Sequence, residues 1–162
     1  MVSMQWRSVI GKGNYELPEL AVKQVYCWIF DNSNNVIIVS KNGDRWQLPG
    51  GKPEQGELLK SALTREVYEE TGIKIEDKSN NPKIFGYYIV TGDPSSKNEA
   101  YLQLRYYVQM DRKLNNLMPG IDSDKEDIKY AKAVDVKELL RTIQWMANSG
   151  EYRTLVKVGV IE

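Results

Sequence analysis

The chain has 162 residues, and its 22 Lys and Arg balance its 22 Asp and Glu, so no net field draws it to nucleic acid or to an anionic membrane. It contains no His and a single Cys, which excludes Ser-His, Cys-His and His-ligated metal chemistry, a disulfide framework and a thiolate zinc site. Any chemistry must rest on carboxylates, Lys, Tyr or a hard metal such as Mg²⁺ or Mn²⁺.

At this length one domain spanning 1–162 is expected, with a core that buries roughly two-thirds of the unfolded surface. The longest apolar run, Val25 to Phe30, is far shorter than the ~18 residues that cross a bilayer. Met1 to Val9 lacks the apolar centre of a secretory signal. A cytoplasmic protein with no membrane partner and no stable nucleic-acid binding is the expectation.

In chain order, Ala21 to Phe30 is rich in β-branched and aromatic residues and reads as a strand, with Cys27 a buried small apolar residue inside it. The turn cluster Asp31 to Asn35 leads into a short strand, Val36 to Val39, so the pair reads as a hairpin. Asn42-Gly43-Asp44 turns the chain again before Arg45 to Leu48 and Pro49-Gly50-Gly51. From Glu57 to Thr71 the pattern is helical, and Gly72 stands where a left-handed residue closes a helix. Lys83 to Val90 and Ala100 to Met110 read as strands joined by the polar loop Thr91 to Glu99. A loop over Asn115 to Asp127 precedes a strand to Val134 and a helix over Asp135 to Ala147. Tyr152 to Val160 suits either a closing helix or a strand. Strands mixed with two or three helices place the chain in the α/β class, with a mixed sheet flanked by helices.

The densest chemistry lies on the helix, in Arg65-Glu66-Val67-Tyr68-Glu69-Glu70. At about 100° per residue, Glu66, Glu69 and Glu70 share one face, behind Leu59, Ala62 and Leu63 on the same stripe. Like charges so spaced repel by a few tenths of a kcal/mol per pair. A solvated acidic face is the plain explanation; a basic partner or a cation is the functional one. Oxygen ligands in a cluster suit Mg²⁺, which bridges carboxylates to a substrate's phosphates.

The 23 residues from Gly51 to Ile73 resemble the Nudix box: Gly51, Glu57, Arg65-Glu66-Val67, Glu69-Glu70 and Gly72-Ile73 match its fixed positions. Trp46 to Gly50 resembles the segment that leads into that box. The resemblance implies an α/β/α sandwich with a mixed central sheet and a catalytic loop-helix-loop. It also implies hydrolysis of a nucleoside diphosphate linked to another moiety, by attack of water on a pyrophosphate phosphorus. Glu66, Glu69 and Glu70 become metal-ligand candidates for Mg²⁺ or Mn²⁺, with Glu57 beside them in the helix's first turn. Glu69 and Arg65 are catalytic candidates, Arg65 because it reaches Glu69 one turn on. Gly50 and Gly51 let the backbone approach phosphate or metal.

A further carboxylate of such enzymes comes from a distant loop; Glu126 is the preferred candidate here and Glu99 the other. Tyr130 and Ala133 depart from the Glu and Trp frequent in the family's late strand. Tyr87 and Tyr88 fall in a region where dinucleoside polyphosphate hydrolysers often carry Tyr. A strand turns them to opposite faces, and Tyr88 is the candidate for stacking on a base. The partner implied is a nucleotide-type small molecule, and paired subunits are common in the family. The alternative reading is a Nudix-fold module that senses a nucleotide without cleaving it.

Overall fold

The computed structural model describes residues 1–75, 80–121 and 127–162. Its strands are β1 (Ser3–Ser8), β2 (Val22–Phe30), β3 (Val36–Ser40), β4 (Trp46–Gln47), β5 (Gly50–Gly51), β6 (Lys83–Thr91), β7 (Tyr101–Gln109) and β8 (Tyr130–Val134). Its α-helices are α1 (Leu59–Thr71), α2 (Val136–Thr142) and α3 (Gly150–Lys157).

The sheet runs β1-β6-β7-β2-β3-β4, with β5 paired to β2 and β8 paired to β3. β2 and β7 lie parallel, whereas the other pairs are antiparallel, so the sheet is mixed as expected. The hairpin between β2 and β3 closes on buried Asp31, whose carboxylate accepts the N–H groups of Ser33 and Asn35. That is the Asx chemistry the turn cluster implies.

Period-2 alternation in β2 divides the core between the two faces. Val25, Cys27 and Ile29 join Ala62, Leu63 and Val67 of α1, and Leu102 and Leu104 of β7. Trp28 and Phe30 join Leu139, Ile143, Met146 and Leu155 from the segments around α2 and α3. One helix therefore covers one face of the sheet, and two cover the other. Cys27 is fully buried, and desolvation raises its thiol pKa strongly, as befits an inert core residue.

Three features correct the sequence expectations, and a fourth decides between two alternatives. β1 was not anticipated, because SMQWRS is polar and mostly exposed; its pairing with β6 is what makes it a strand. α1 begins at Leu59, so Glu57 precedes it instead of occupying its first turn. The second helix ends at Thr142, since Ile143 leaves helical geometry at φ −110° and a 3₁₀ turn, Gln144–Asn148, takes over. The closing segment is α3, started by Ser149, whose Oγ accepts the Tyr152 N–H.

A buried ion pair ties α3 to the sheet. Glu151 is fully buried and accepts from Arg105 Nε at 3.1 Å and from Trp28 Nε1 at 3.0 Å. Replacing Glu151 with Ala strands the Arg105 charge in the interior and is expected to cost about 3–5 kcal/mol in denaturant unfolding. A loss below about 1 kcal/mol would mean that the pair is not buried as described.

Candidate active site: a carboxylate helix against a glycine strand

The last two turns of α1 carry Glu66, Glu69 and Glu70, all half-buried. The helix ends where it does because Gly72 adopts φ 77° and returns its N–H to the Tyr68 carbonyl. The segment Met118 to Ile121 completes the cap: Met118 N–H donates to Thr71 O, and Gly120 and Ile121 N–H both donate to Glu69 O. The glutamates are thereby set on a stiff scaffold against β5.

Two glycines allow that approach. The Gly50 N–H donates to Glu70 Oε1 at 2.9 Å, and a Cβ on Gly50 would lie 2.1 Å from the Val25 carbonyl oxygen. A Cβ on Gly51 would lie 2.6 Å from the carboxyl carbon of Glu66. Any side chain at either position would push the strand off the helix.

Arg65 organises the remaining carboxylates. Its Nε and Nη2 donate to Glu57 at 2.8 and 2.9 Å in a bidentate pair, its Nη1 reaches Glu66 at 3.1 Å, and it contacts Glu69 at 3.3 Å. The pair holds the Glu57 carboxyl down at about 2, and it holds the guanidinium charged at any accessible pH. Oε1 of Glu57 also accepts the Glu54 N–H, so Glu57 anchors Arg65 with three of its roughly four acceptor positions.

Glu70 lies at the other electrostatic extreme. Burial first, then the charges of Glu66 and Glu69, push its pKa up to about 8 against the help of the Gly50 N–H. Burial likewise raises Glu66, opposed by Arg65. The glutamates do not converge as they stand: among the described residues no three acidic side chains close on a single point. A cation would have to draw Glu66 and Glu69 away from Arg65 Nη1. The donor set nevertheless fits one, with hard oxygens, a surplus of negative charge and one carboxyl, Glu70, pushed toward its neutral form by burial and by its neighbouring glutamates.

A cavity of about 520 Å³ opens on the other face of the sheet from α1, lined by Tyr26, Trp46, Leu48, Gln103, Arg105 and Trp145 among others. Tyr26 links the two, because its register partner on β5 is Gly50 and its partner on β7 is Arg105. The Arg105 guanidinium lies 4.7 Å from the Tyr26 ring centre, and Lys132 Nζ lies 4.3 Å from the Trp46 ring centre. Tyr26, Arg105 and Trp145 carried no motif in the sequence. Alternation along β2 puts Tyr26 opposite Val25, but only the pairing of β2 with β5 brings it to the glutamates.

The outlying candidates fall elsewhere. Tyr88 is buried in its strand and flanked by Arg105 at 4.9 Å and Trp6 at 4.9 Å, so its ring has neighbours on both sides. Glu99 is exposed on the loop before β7, with its N–H bonded to the Ser96 carbonyl. Glu126 lies outside the described residues.

The family comparison agrees with this arrangement: the NUDIX domain model matches residues 21–155, and the chain belongs to the Nudix family. The chain is 37% identical over 76 residues to the mouse Nucleoside diphosphate-linked moiety X motif 6, covering 43% of this chain and 24% of that protein. It is 31% identical over 102 residues to the RNA pyrophosphohydrolase of Bartonella quintana, covering 59% of each. The chain thus spans less than two-thirds of these relatives' lengths. Among solved structures, the Bacillus subtilis pyrophosphohydrolase BsRppH superposes with a TM-score of 0.56 at 18% identity, over 92% of this chain and 91% of that one. A C. elegans Ap4A hydrolase superposes with a TM-score of 0.53 at 14% identity, over 86% and 96%. At such identities these structures establish the fold, the expected α/β/α sandwich.

The raised Glu70 carboxyl makes a prediction about the metal-free protein. Its folded pKa lies above the unfolded value, so the native state binds the extra proton between pH 4.5 and about 8. Stability in EDTA should therefore fall as pH rises across that window, and Glu70→Gln should flatten the fall. Millimolar Mg²⁺ should raise the melting temperature, and more at pH 8 than at pH 5.5; a ligand at a hundred times its Kd adds about 2.7 kcal/mol. An identical Mg²⁺ shift at both pH values would contradict the assignment.

Proposed function

We propose that the protein is a cytoplasmic, Mg²⁺- or Mn²⁺-dependent hydrolase that cleaves the pyrophosphate bond of a nucleoside diphosphate linked to another moiety. One observation carries the reading: Glu66 and Glu70 of the box are held half-buried against Gly51 and Gly50, and Tyr26, the register partner of Gly50, lines a cavity large enough for a nucleoside. The names of the relatives, an RNA pyrophosphohydrolase among them, fit the same bond class.

Each residue has a part in that reaction. Glu66, Glu69 and Glu70 would hold the cation, with Arg65 yielding its Nη1 contacts while Glu57 keeps Nε and Nη2 in place. The bound cation would neutralise the pyrophosphate oxygens, whose charge otherwise repels the nucleophile. Glu69 accepts the proton of the attacking water at a carboxylate oxygen, since its contacts to Arg65, at 3.3 and 3.4 Å, are the weakest in the net. Glu126, and less so Glu99, are the alternative bases. Gly50 and Gly51 leave room for the diphosphate beside the strand. The nucleoside lies in the cavity lined by Tyr26 and Trp46, where ring stacking and the amides of Gln24, Gln47 and Gln103 are at hand.

The test is a substrate panel read by phosphate release: nucleoside triphosphates, dinucleoside polyphosphates, other nucleoside diphosphate conjugates and a 5′-triphosphorylated oligonucleotide. At least one should turn over with Mg²⁺ and none with EDTA. Glu69→Gln and Glu70→Gln should each lower that rate about 10²-fold or more while the protein stays folded. Saturable nucleotide binding without turnover of any compound would favour the sensor module instead. Glu126→Gln lowering kcat at unchanged KM would move the base from Glu69 to Glu126.

A further inference from the structure

β1 ends the sheet, with β6 on one side of it and an open edge on the other. One hydrogen bond fixes which groups line that edge. Val9 N–H donates to Phe85 O at 3.1 Å, one position beyond the Ser8–Gly86 pair. Bonded and unbonded positions alternate in an antiparallel pair, so Arg7, Gln5 and Ser3 bond β6. Ser8, Trp6 and Met4 therefore turn their N–H and C=O groups outward. Among the described residues only the Arg7 guanidinium meets this row, donating to Trp6 O at 3.2 Å. We propose that the edge pairs with the same edge of a second copy, antiparallel and two-fold symmetric about Trp6, so that one sheet runs through a homodimer.

A bare edge strand is a template for another strand, and folded proteins blunt it with shortness, Lys, Pro, a bulge or a cover. The far end of the sheet follows that rule: β4 has two residues, and β8 lays Lys132 across Trp46. β1 does not. It has six residues, neither Lys nor Pro, and an unbroken register with β6. A cavity of about 540 Å³ lies along it, lined by Met4, Gln5 and Trp6 and also by Trp145, Asn148 and Arg153. Consecutive strand residues point to alternate faces, so a cavity that touches all three of the first set wraps around the edge itself. A strand has room there.

The occupant is a second copy because the strand matches itself. Only about Trp6 do all three outward residues find outward partners within the strand: Met4 with Ser8, Trp6 with Trp6, and Ser8 with Met4. Each such pair exchanges two backbone hydrogen bonds. The positions between them set Gln5 against Arg7, where the amide oxygen accepts from the guanidinium. Moving the centre by one residue to Arg7 would set two guanidinium groups against each other. Charge does not oppose the encounter, since 22 Lys and Arg balance 22 Asp and Glu. Met4 and Trp145, 45% and 55% exposed, line the cavity beside the added strand and lose water on pairing.

The alternation also supplies a clean way to block the pairing. Met4 N–H points away from β6, so a proline there removes a donor that the single chain does not use. Gln5 N–H points toward β6, so a proline one residue on would break the fold itself. The surface is separate from the glutamates: Gly50 and Gly51 pair with β2, and β7 and β6 lie between β2 and β1. That is three strand spacings, roughly 14 Å. Association can therefore be measured without reference to hydrolysis.

The test is sedimentation velocity of the full chain over rising concentration, without nucleotide or metal. A monomer–dimer equilibrium is expected. Met4→Pro should raise its Kd about tenfold or more, because symmetry removes two hydrogen bonds at once, while circular dichroism shows the single chain still folded. Met4→Lys, which leaves the backbone untouched, should raise the Kd as well and covers the case in which the proline disturbs β1. The register has its own readout. Gln5→Lys sets Lys against Arg7 twice and should weaken the dimer severalfold, and Gln5→Lys combined with Arg7→Glu should restore it. A chain that sediments as a monomer at every concentration overturns the proposal. So does a dimer that Met4→Pro and Met4→Lys leave unchanged, or one that the double variant fails to restore, since either means pairing through another surface or another register.

Discussion

Half-buried carboxylates at the C-terminal end of a helix are opposed by every local effect. The macrodipole is negative there, burial strips solvation, and three glutamates within one turn and a half repel each other. α1 has no basic residue in its last turn to offset them. One guanidinium serves three carboxylates, Glu57, Glu66 and Glu69, while Glu70 has the Gly50 N–H and the charge of Lys41. The neighbouring structure is arranged around this deficit. Gly72 and the Met118 to Ile121 segment lock the helix end, and Gly50 and Gly51 bring a strand close enough to touch the carboxylates.

The opposite arrangement holds on the other face of the sheet. Arg105 and Glu151 are more deeply buried than any glutamate of α1, yet they are matched charge for charge, with Trp28 donating to the same carboxylate. Such a pair adds little net stability over an apolar replacement, but breaking it is costly, and it fixes where α3 sits on β7. The guanidinium also lies between the rings of Tyr26 and Tyr88, at 4.7 and 4.9 Å. A matched ion pair therefore lies in the wall of the cavity, whereas the carboxylates of α1 outnumber the cations that serve them.

The local features of this design were legible in the residues. β2, β3, β6 and β7 follow from β-branched and aromatic runs, and α1 from its periodicity up to Gly72, because each signal is contained in the element that carries it. β1 was not, since only its partner β6 and the packing of Trp6 hold a polar segment extended. The start of α1 was misplaced by two residues for a similar reason: Glu57 is fixed by Arg65, eight positions on, and not by the helix dipole. The box marked the glutamates as a set but could not separate them electrostatically. Glu57 is driven down and Glu70 up by burial and by partners on other elements.

The same distinction explains why Tyr88 was recognisable as special while its role was not. Its position beyond the box and its place in a strand were both in the sequence, and alternation correctly separated it from Tyr87. What alternation cannot supply is the identity of the residues on neighbouring strands. Arg105 and Trp6 reach Tyr88 through the β7 and β1 registers, and they pack against its ring, while burial and the Glu151 carboxylate raise its hydroxyl's pKa. Pairings across strands, perpendicular to the chain, thus build the cavity wall, while the carboxylate cluster is written along one helix. A motif runs along the chain; it reads the second and is blind to the first.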